Sequence, residues 1–148
     1  MKPMSLYNKI IFCFSKSRHP FTGAPYRIEV SGGKCQISCF SKVFCVFEDI
    51  TVTSGKVHVG HFSVNGPFRG RKIGEQCLRK FASHLARLEP TIKSIEFSLY
   101  KLPTNFPHQK VALARLKLLN KIGATTTSMS QLAHGNFLVS GSWGKSKW

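Results

Sequence analysis

VHVGHFSVNGPFRGRKIGEQCLRKFASHLAR, residues Val57–Arg87, is the stretch that decides the fold of this 148-residue chain. Val57 to Val64 alternates apolar and polar side chains and predicts a strand. A short basic loop follows, Asn65-Gly66-Pro67-Phe68-Arg69-Gly70-Arg71-Lys72. Beyond it Ile73, Cys77, Leu78, Phe81, Leu85 and Leu88 recur at helical spacing, predicting a helix from about Gly74 to Leu88 that Glu89-Pro90 stops. A strand that enters a helix through a Gly-containing basic turn suits an anion. The first N–H groups of the helix lack intrahelical partners, and the helix dipole makes that end positive.

Phe68-Arg69-Gly70-Arg71-Lys72-Ile73-Gly74 resembles the acetyl-CoA loop of the GNAT N-acetyltransferases, usually Tyr-Arg-Gly-x-Gly-Ile-Gly. The order downstream is also similar: helix, strand (Ser94 to Leu102), second helix ending Leu118-Leu119-Asn120-Lys121-Ile122-Gly123-Ala124, then a hairpin. The resemblance covers roughly residues 35–143. It implies a GNAT-like α/β fold with a mixed sheet, an acyl-CoA N-acyltransferase activity and acetyl-CoA as acyl donor. Carried over residue by residue, it implies that main-chain groups of Phe62, Ser63 and Val64 pair with the pantetheine arm. Loop amides within Phe68, Arg69, Gly70, Arg71, Lys72, Ile73 and Gly74 would hold the pyrophosphate. The sequence departs from the pattern at two places. Lys72 stands where most members have the second Gly of the loop, and Leu119 stands where many carry a Tyr general acid. Leucine donates no proton, so the departing thiolate needs another donor or none.

The chain has 22 Lys+Arg against 6 Asp+Glu, a formal charge of +16. That excess favours polyanionic partners, and CoA alone does not require it. Nucleic acid, DNA or tRNA, is therefore an expected second partner. The basic residues form no single run, which argues against a dedicated recognition helix. No apolar run approaches a membrane span, and the N-terminal residues lack a signal-peptide pattern, so a cytoplasmic location is expected. Five cysteines, Cys13, Cys35, Cys39, Cys45 and Cys77, sit in apolar runs and fit reduced, buried thiols. His58 and His61, three apart on one expected strand, should face opposite ways and make a poor metal pair.

A single domain is expected over 1–148, with 1–7 and 144–148 as flexible tails. Residues 8–15 read as a first strand and 16–25 as a loop broken by Pro20, Gly23 and Pro25. GNAT proteins usually place two helices in this region. Their absence from the pattern implies a reduced substrate-side lobe and an open cleft. Tyr26–Val30, Cys35–Lys42, Val43–Thr53, Ser94–Leu102, Thr125–Gln131 and Phe137–Trp143 read as strands. His108–Lys121 reads as a helix with Val111, Leu116, Leu119 and Ile122 on its apolar face, capped by Gly123.

Acetyl transfer to an amine needs a group that takes the amine proton. His61, sharing a strand face with Ser63, and Glu96, on the polar face of its strand, are the candidate catalytic bases. Glu48 and Asp49 are expected on opposite faces of a strand and cannot act as a dyad. Cys77 reads as a packing residue. Ser98 and Tyr100 are alternative proton donors to the thiolate. Phe14, Phe21, Tyr26 and Trp148 lie near basic residues where they could stack on bases. An alternative to catalysis is a GNAT-like scaffold repurposed for nucleic-acid binding or regulation, which Lys72 and Leu119 favour.

Overall fold

The computed structural model describes residues 27–39, 42–65, 73–100 and 108–148. The expected strand at 8–15, the loop at 16–25, the tail at 1–7, Phe14, Phe21, Tyr26 and Phe68, Arg69, Gly70, Arg71 and Lys72 lie outside them. The described chain runs β1 (Arg27–Ser31), β2 (Lys34–Cys39), β3 (Lys42–Glu48), β4 (Thr51–Thr53), β5 (Lys56–Val59), β6 (His61–Val64), α1 (Ile73–Leu88), β7 (Ser94–Leu99), α2 (His108–Ile122), β8 (Thr125–Gln131) and β9 (Phe137–Gly144). The strands form two sheets, ordered β1-β2-β3-β6 and β4-β5-β7-β9-β8. All pairs are antiparallel except β5 with β7, which the α1 crossover makes parallel. This is the mixed α/β architecture that the alternating and helical periods imply.

The stretch Val57–Val64 is not one strand. It breaks at Gly60, and its halves join different sheets: β5 pairs with β4 and β7, β6 with β3. A Cβ on Gly60 would lie 2.8 Å from the Asp49 Cβ, so only glycine permits this approach. Asp49 in turn takes a positive φ of 55° and ends β3, so the expected strand Val43–Thr53 also divides. The extra residue at the break changes the parity of the chain. Val57, Val59 and Phe62 are buried, while His58 and His61 are both only partly covered. The two histidines therefore lie on the same side of their strands, contrary to simple alternation.

α1 buries Ile73, Cys77, Leu78, Phe81, Ala82 and Leu85, one stripe of an amphipathic helix. It packs on β3 and β6, where Phe81 stacks on Phe47 at 4.2 Å and Phe47 on Phe62 at 4.8 Å. α2 packs on β8 and β9 and buries Ala112, Arg115, Leu119 and Ile122. Val111 and Leu116, expected on that face, are only partly covered. Gly123, at φ 93°, ends α2 as expected. Its N–H donates to Asn120 O and the Ala124 N–H to Leu119 O, the paired bonds of a Schellman cap. Trp143, fully buried on β9, donates Nε1–H to Ile122 O at 3.0 Å and so holds the C-terminal end of the same helix.

Residues 144–148, expected as a flexible tail, are tied down. Lys145 N–H donates to Lys93 O, Trp148 Nε1–H to Trp143 O at 3.0 Å, and Arg79 reaches Lys147 O. The apolar body of Trp148 packs against the core and outweighs the basic character that suggested a free end.

Candidate functional site

β5 and β7 run side by side only as far as Val59 and Phe97. Past Gly60 the chain turns into the other sheet, so β6 and β7 diverge and leave a gap between them. The pairing of β6 with β3 decides which main-chain groups face that gap. Asn65 N–H donates to Phe44 O in register with the rest of the pair. Alternation then gives the β3-facing bonds to His61 and Ser63, and turns the N–H and C=O of Phe62 and Val64 toward β7. Of the three residues expected to carry a pantetheine arm, Phe62 and Val64 thus turn their backbone groups away from β3, with the Phe62 carbonyl accepting from Arg115, whereas Ser63 spends its own on β3.

The N-terminus of α1 sits at the same place. A Cβ on Gly74 would meet Leu118 Cδ2 at 3.3 Å, Val64 Cγ2 at 3.6 Å and Phe62 Cε2 at 3.9 Å. β6, α1 and α2 therefore converge on Gly74, and the N-terminal end of α1, the positive end of its dipole, lies beside β6. Glu75 in that first turn is held by Lys121 at 3.2 Å and Arg79 at 3.3 Å. Burial works against its charge, but Lys121 and Arg79 hold the Glu75 carboxyl below the usual carboxylate range.

The α2 side of the gap carries Arg115, which sequence periodicity did not single out. It is 7% exposed and, among the described residues, the only buried charged side chain. Its Nη2 donates to Phe62 O at 3.2 Å, while Nη1 is buried without a hydrogen-bond partner among the described residues. Burial pulls its pKa down from the ordinary guanidinium range to about 10, so it remains a cation at neutral pH. Leu119, one turn further along the helix, is 1% exposed and packs against Gly141 of β9. A leucine at that position serves the core and offers no proton.

The two candidate bases are not brought together. His61 is 14% exposed and its Nε2 lies 3.8 Å from Glu48 Oε1 in the β3–β6 sheet. Glu96 lies in the other sheet, level with His58 on one side and Ser142 on the other. Ser94 and Ser142 hydroxyls both donate to its Oε2, at 2.7 and 2.6 Å. His58 is engaged at Nε2 with Thr53 Oγ1 at 2.9 Å. Tyr100 donates to Asp49 Oδ2 at 3.3 Å across the strand break, and Ser98 lies on the exposed face of β7 opposite Ser140. Cys77 is fully buried beside Cys45 and Cys35, whose thiols burial pushes up, Cys35 to about 12; these are inert core residues. Among the described residues no group of three or more His, Cys, Asp or Glu is placed to hold a metal ion. No helix among them is long and apolar enough to cross a membrane.

The residues present fit an extended ligand with an anionic end. Around the gap lie a β6 edge turned away from β3, a glycine that lets β6, α1 and α2 close on one point, and a buried guanidinium whose Nη1 has no partner among the described residues.

No protein-family profile matches the sequence, and no curated protein matches it. Solved structures do match in fold. The ribosomal-protein-S18-alanine N-acetyltransferase from Escherichia coli superposes with a TM-score of 0.54 at 10% identity, over 83% of this chain and 72% of that one. The ribosomal-protein-S5-alanine acetyltransferase from Vibrio fischeri gives 0.52 at 13% identity, over 100% and 92%. An acetyltransferase from Bacillus subtilis in complex with CoA gives 0.52 at 12% identity, over 75% of each chain. With its split sheet, the two α-helices among its described residues and the gap between β6 and β7, this chain has the fold of the GNAT acetyltransferases.

Proposed function

We propose that the protein is an acyl-CoA-dependent N-acyltransferase that uses acetyl-CoA as donor and transfers acetyl to an amine on or near a polyanion. The observation that carries this reading is the divergence of β6 and β7 over the N-terminus of α1. It turns the backbone of Phe62 away from β3 and toward the gap, beside the positive end of the α1 dipole. One solved structure of this fold holds CoA.

In this reading the backbone of Phe62 and Val64 orients the pantetheine arm, while Ser63 between them stays bonded to β3. The segment Phe68, Arg69, Gly70, Arg71, Lys72, Ile73 and Gly74 holds the pyrophosphate through amides, the helix dipole and three basic side chains. Acetyl-CoA, when bound, supplies an acyl group activated as a thioester. His61 or Glu96 takes the proton from the attacking amine, directly or through water. Both lie on the strands that flank the gap, and the remaining requirement is the positioning of the amine, which converts a bimolecular attack into an intramolecular one.

The acceptor follows from charge. At +16 the protein is drawn to DNA, tRNA or a ribosome. Two neighbours in fold are named for alanines of ribosomal proteins, amines borne on such a polyanion. Reduced cysteines suit a cytoplasmic setting for this chemistry. The second reading, a non-catalytic GNAT-fold protein that binds nucleic acid or regulates, is favoured by one observation: Leu119 is packed into the core and donates no proton.

The test is turnover of acetyl-CoA, read as release of free thiol, with ribosomes, aminoacyl-tRNA and basic peptides as acceptors. Acetylation of any of these, lost in His61→Ala or Glu96→Ala with CoA affinity retained, supports the enzyme. CoA binding without turnover on any amine, together with salt-dependent nucleic-acid binding, supports the second reading.

A further inference from the structure

Arg115 stands out because an interior does not normally keep a cation with one of its nitrogens unsatisfied. It lies on the buried face of α2 between Ala112 and Leu119, and it reaches across to the carbonyl of Phe62 at 3.2 Å. That carbonyl faces the gap between β6 and β7. The guanidinium is therefore within one hydrogen bond of the backbone that the acyltransferase reading gives to the pantetheine arm. A purely structural tie between α2 and β6 would account for Nη2. It leaves the burial of Nη1 without a purpose.

We propose that Arg115 is the group that receives the negative charge on the departing sulfur, standing in for the proton donor that Leu119 cannot be. The inference rests on the acyltransferase reading. As the new N–C bond forms and the C–S bond breaks, the electron pair of the latter stays on sulfur. Arg115 Nη1–H donates to that sulfur and keeps its own proton. The proton lost by the amine goes to the base and then to water. A fixed, buried cation stabilises developing charge without reorganising, and it is worth more there than at a surface. Arginine suits the task because it stays charged when buried. The cost of holding it there is offset only when an anion arrives.

The experiment measures the ionisation of the thiol of bound CoA, by thiolate absorbance against protein loaded with desulpho-CoA, across a pH series. The proposal expects the wild-type protein to raise the thiolate fraction of bound CoA about tenfold or more over free CoA at the same pH. In Arg115→Met that enhancement should vanish, and in Arg115→Lys part of it should remain. The enhancement should also persist at about 1 M salt, where the general field of a basic surface is screened within about 3 Å. A bound thiol that ionises like free CoA in the wild type overturns the proposal, as does an enhancement that survives in Arg115→Met or disappears with salt. Should Arg115→Met fail to fold, the wild-type, high-salt and Arg115→Lys measurements still decide. The same titration reports CoA binding itself. No binding overturns the acyltransferase reading and this proposal with it, whereas binding with an unchanged thiol overturns the Arg115 role alone.

Discussion

Replacing Arg115 by methionine should make the free protein more stable. Burial lowers the Arg115 pKa from the ordinary guanidinium range to about 10, because the buried site disfavours the charge. At 1.36 kcal/mol per tenfold change in proton affinity, that is about 3 kcal/mol. Against it stands one hydrogen bond, Nη2 to Phe62 O, worth about 1.5–3 kcal/mol for a charged donor. Methionine fills similar volume with a flexible apolar chain and removes both contributions. The net gain is about 0–1.5 kcal/mol, or a rise in Tm of up to roughly 5 °C for a chain of this size. The sign of the pH dependence follows from a depressed base. Above about pH 10 the unfolded state holds a proton that the folded state has lost, so the Arg115 penalty on wild-type stability recovers with rising pH only there. From about pH 6 to 9 the difference between variant and wild type should be flat. Urea denaturation of both proteins in a buffer free of phosphate and other multivalent anions measures it. A methionine variant less stable than wild type by about 1 kcal/mol or more would refute the reasoning, because it would mean that the buried cation is already compensated.

Three further outcomes follow from particular contacts. Gly60→Ala places a methyl 2.8 Å from the Asp49 Cβ and should lower stability by about 1–3 kcal/mol in urea denaturation; a neutral result would mean that the strand break is soft. Trp143→Phe removes the Nε1–H bond to Ile122 O and part of a fully buried ring. It should cost about 2–4 kcal/mol by thermal denaturation and fray the end of α2 in hydrogen exchange. Glu75 is held below its ordinary pKa of 4.5, so its contribution is present above that pH and is lost as pH falls through the depressed value. Glu75→Gln should therefore be less stable than wild type at neutral pH and converge with it in acid; parallel acid limbs would remove Glu75 from the account.

Much of the fold was legible because local chemistry set it. The 3.6-residue recurrence from Ile73 to Leu85 is the buried stripe of α1, and Gly123 caps α2 through the left-handed conformation that glycine tolerates. The strand break at Gly60 was not legible. A lone glycine in an alternating run marks either a flexible point or a close approach, and the approaching residue, Asp49, comes from another strand. The same tertiary contact hid the end of β3. Arg115 was hidden because a charged residue is read as solvent-facing by default. Its spacing, three beyond Ala112, four before Leu119 and seven before Ile122, places it in the buried stripe. That signal was available in the sequence. The partners of the candidate bases were beyond reach. Glu96 beside His58 and His61 beside Glu48 depend on which strands pair and in what register. Phe68 to Lys72, which carry the resemblance to the acetyl-CoA loop, lie outside the described residues, and their role remains a proposal.

The central claim is that the gap between β6 and β7, over the N-terminus of α1, holds an acyl-CoA. The most direct measurement is a calorimetric titration of the purified protein with acetyl-CoA, run beside Arg69→Glu. The account predicts saturable one-to-one binding by the wild type and its loss in the variant, where a carboxylate replaces a guanidinium in the loop proposed to hold the phosphates. No heat of binding in the wild type, or equal affinity in Arg69→Glu, would contradict it.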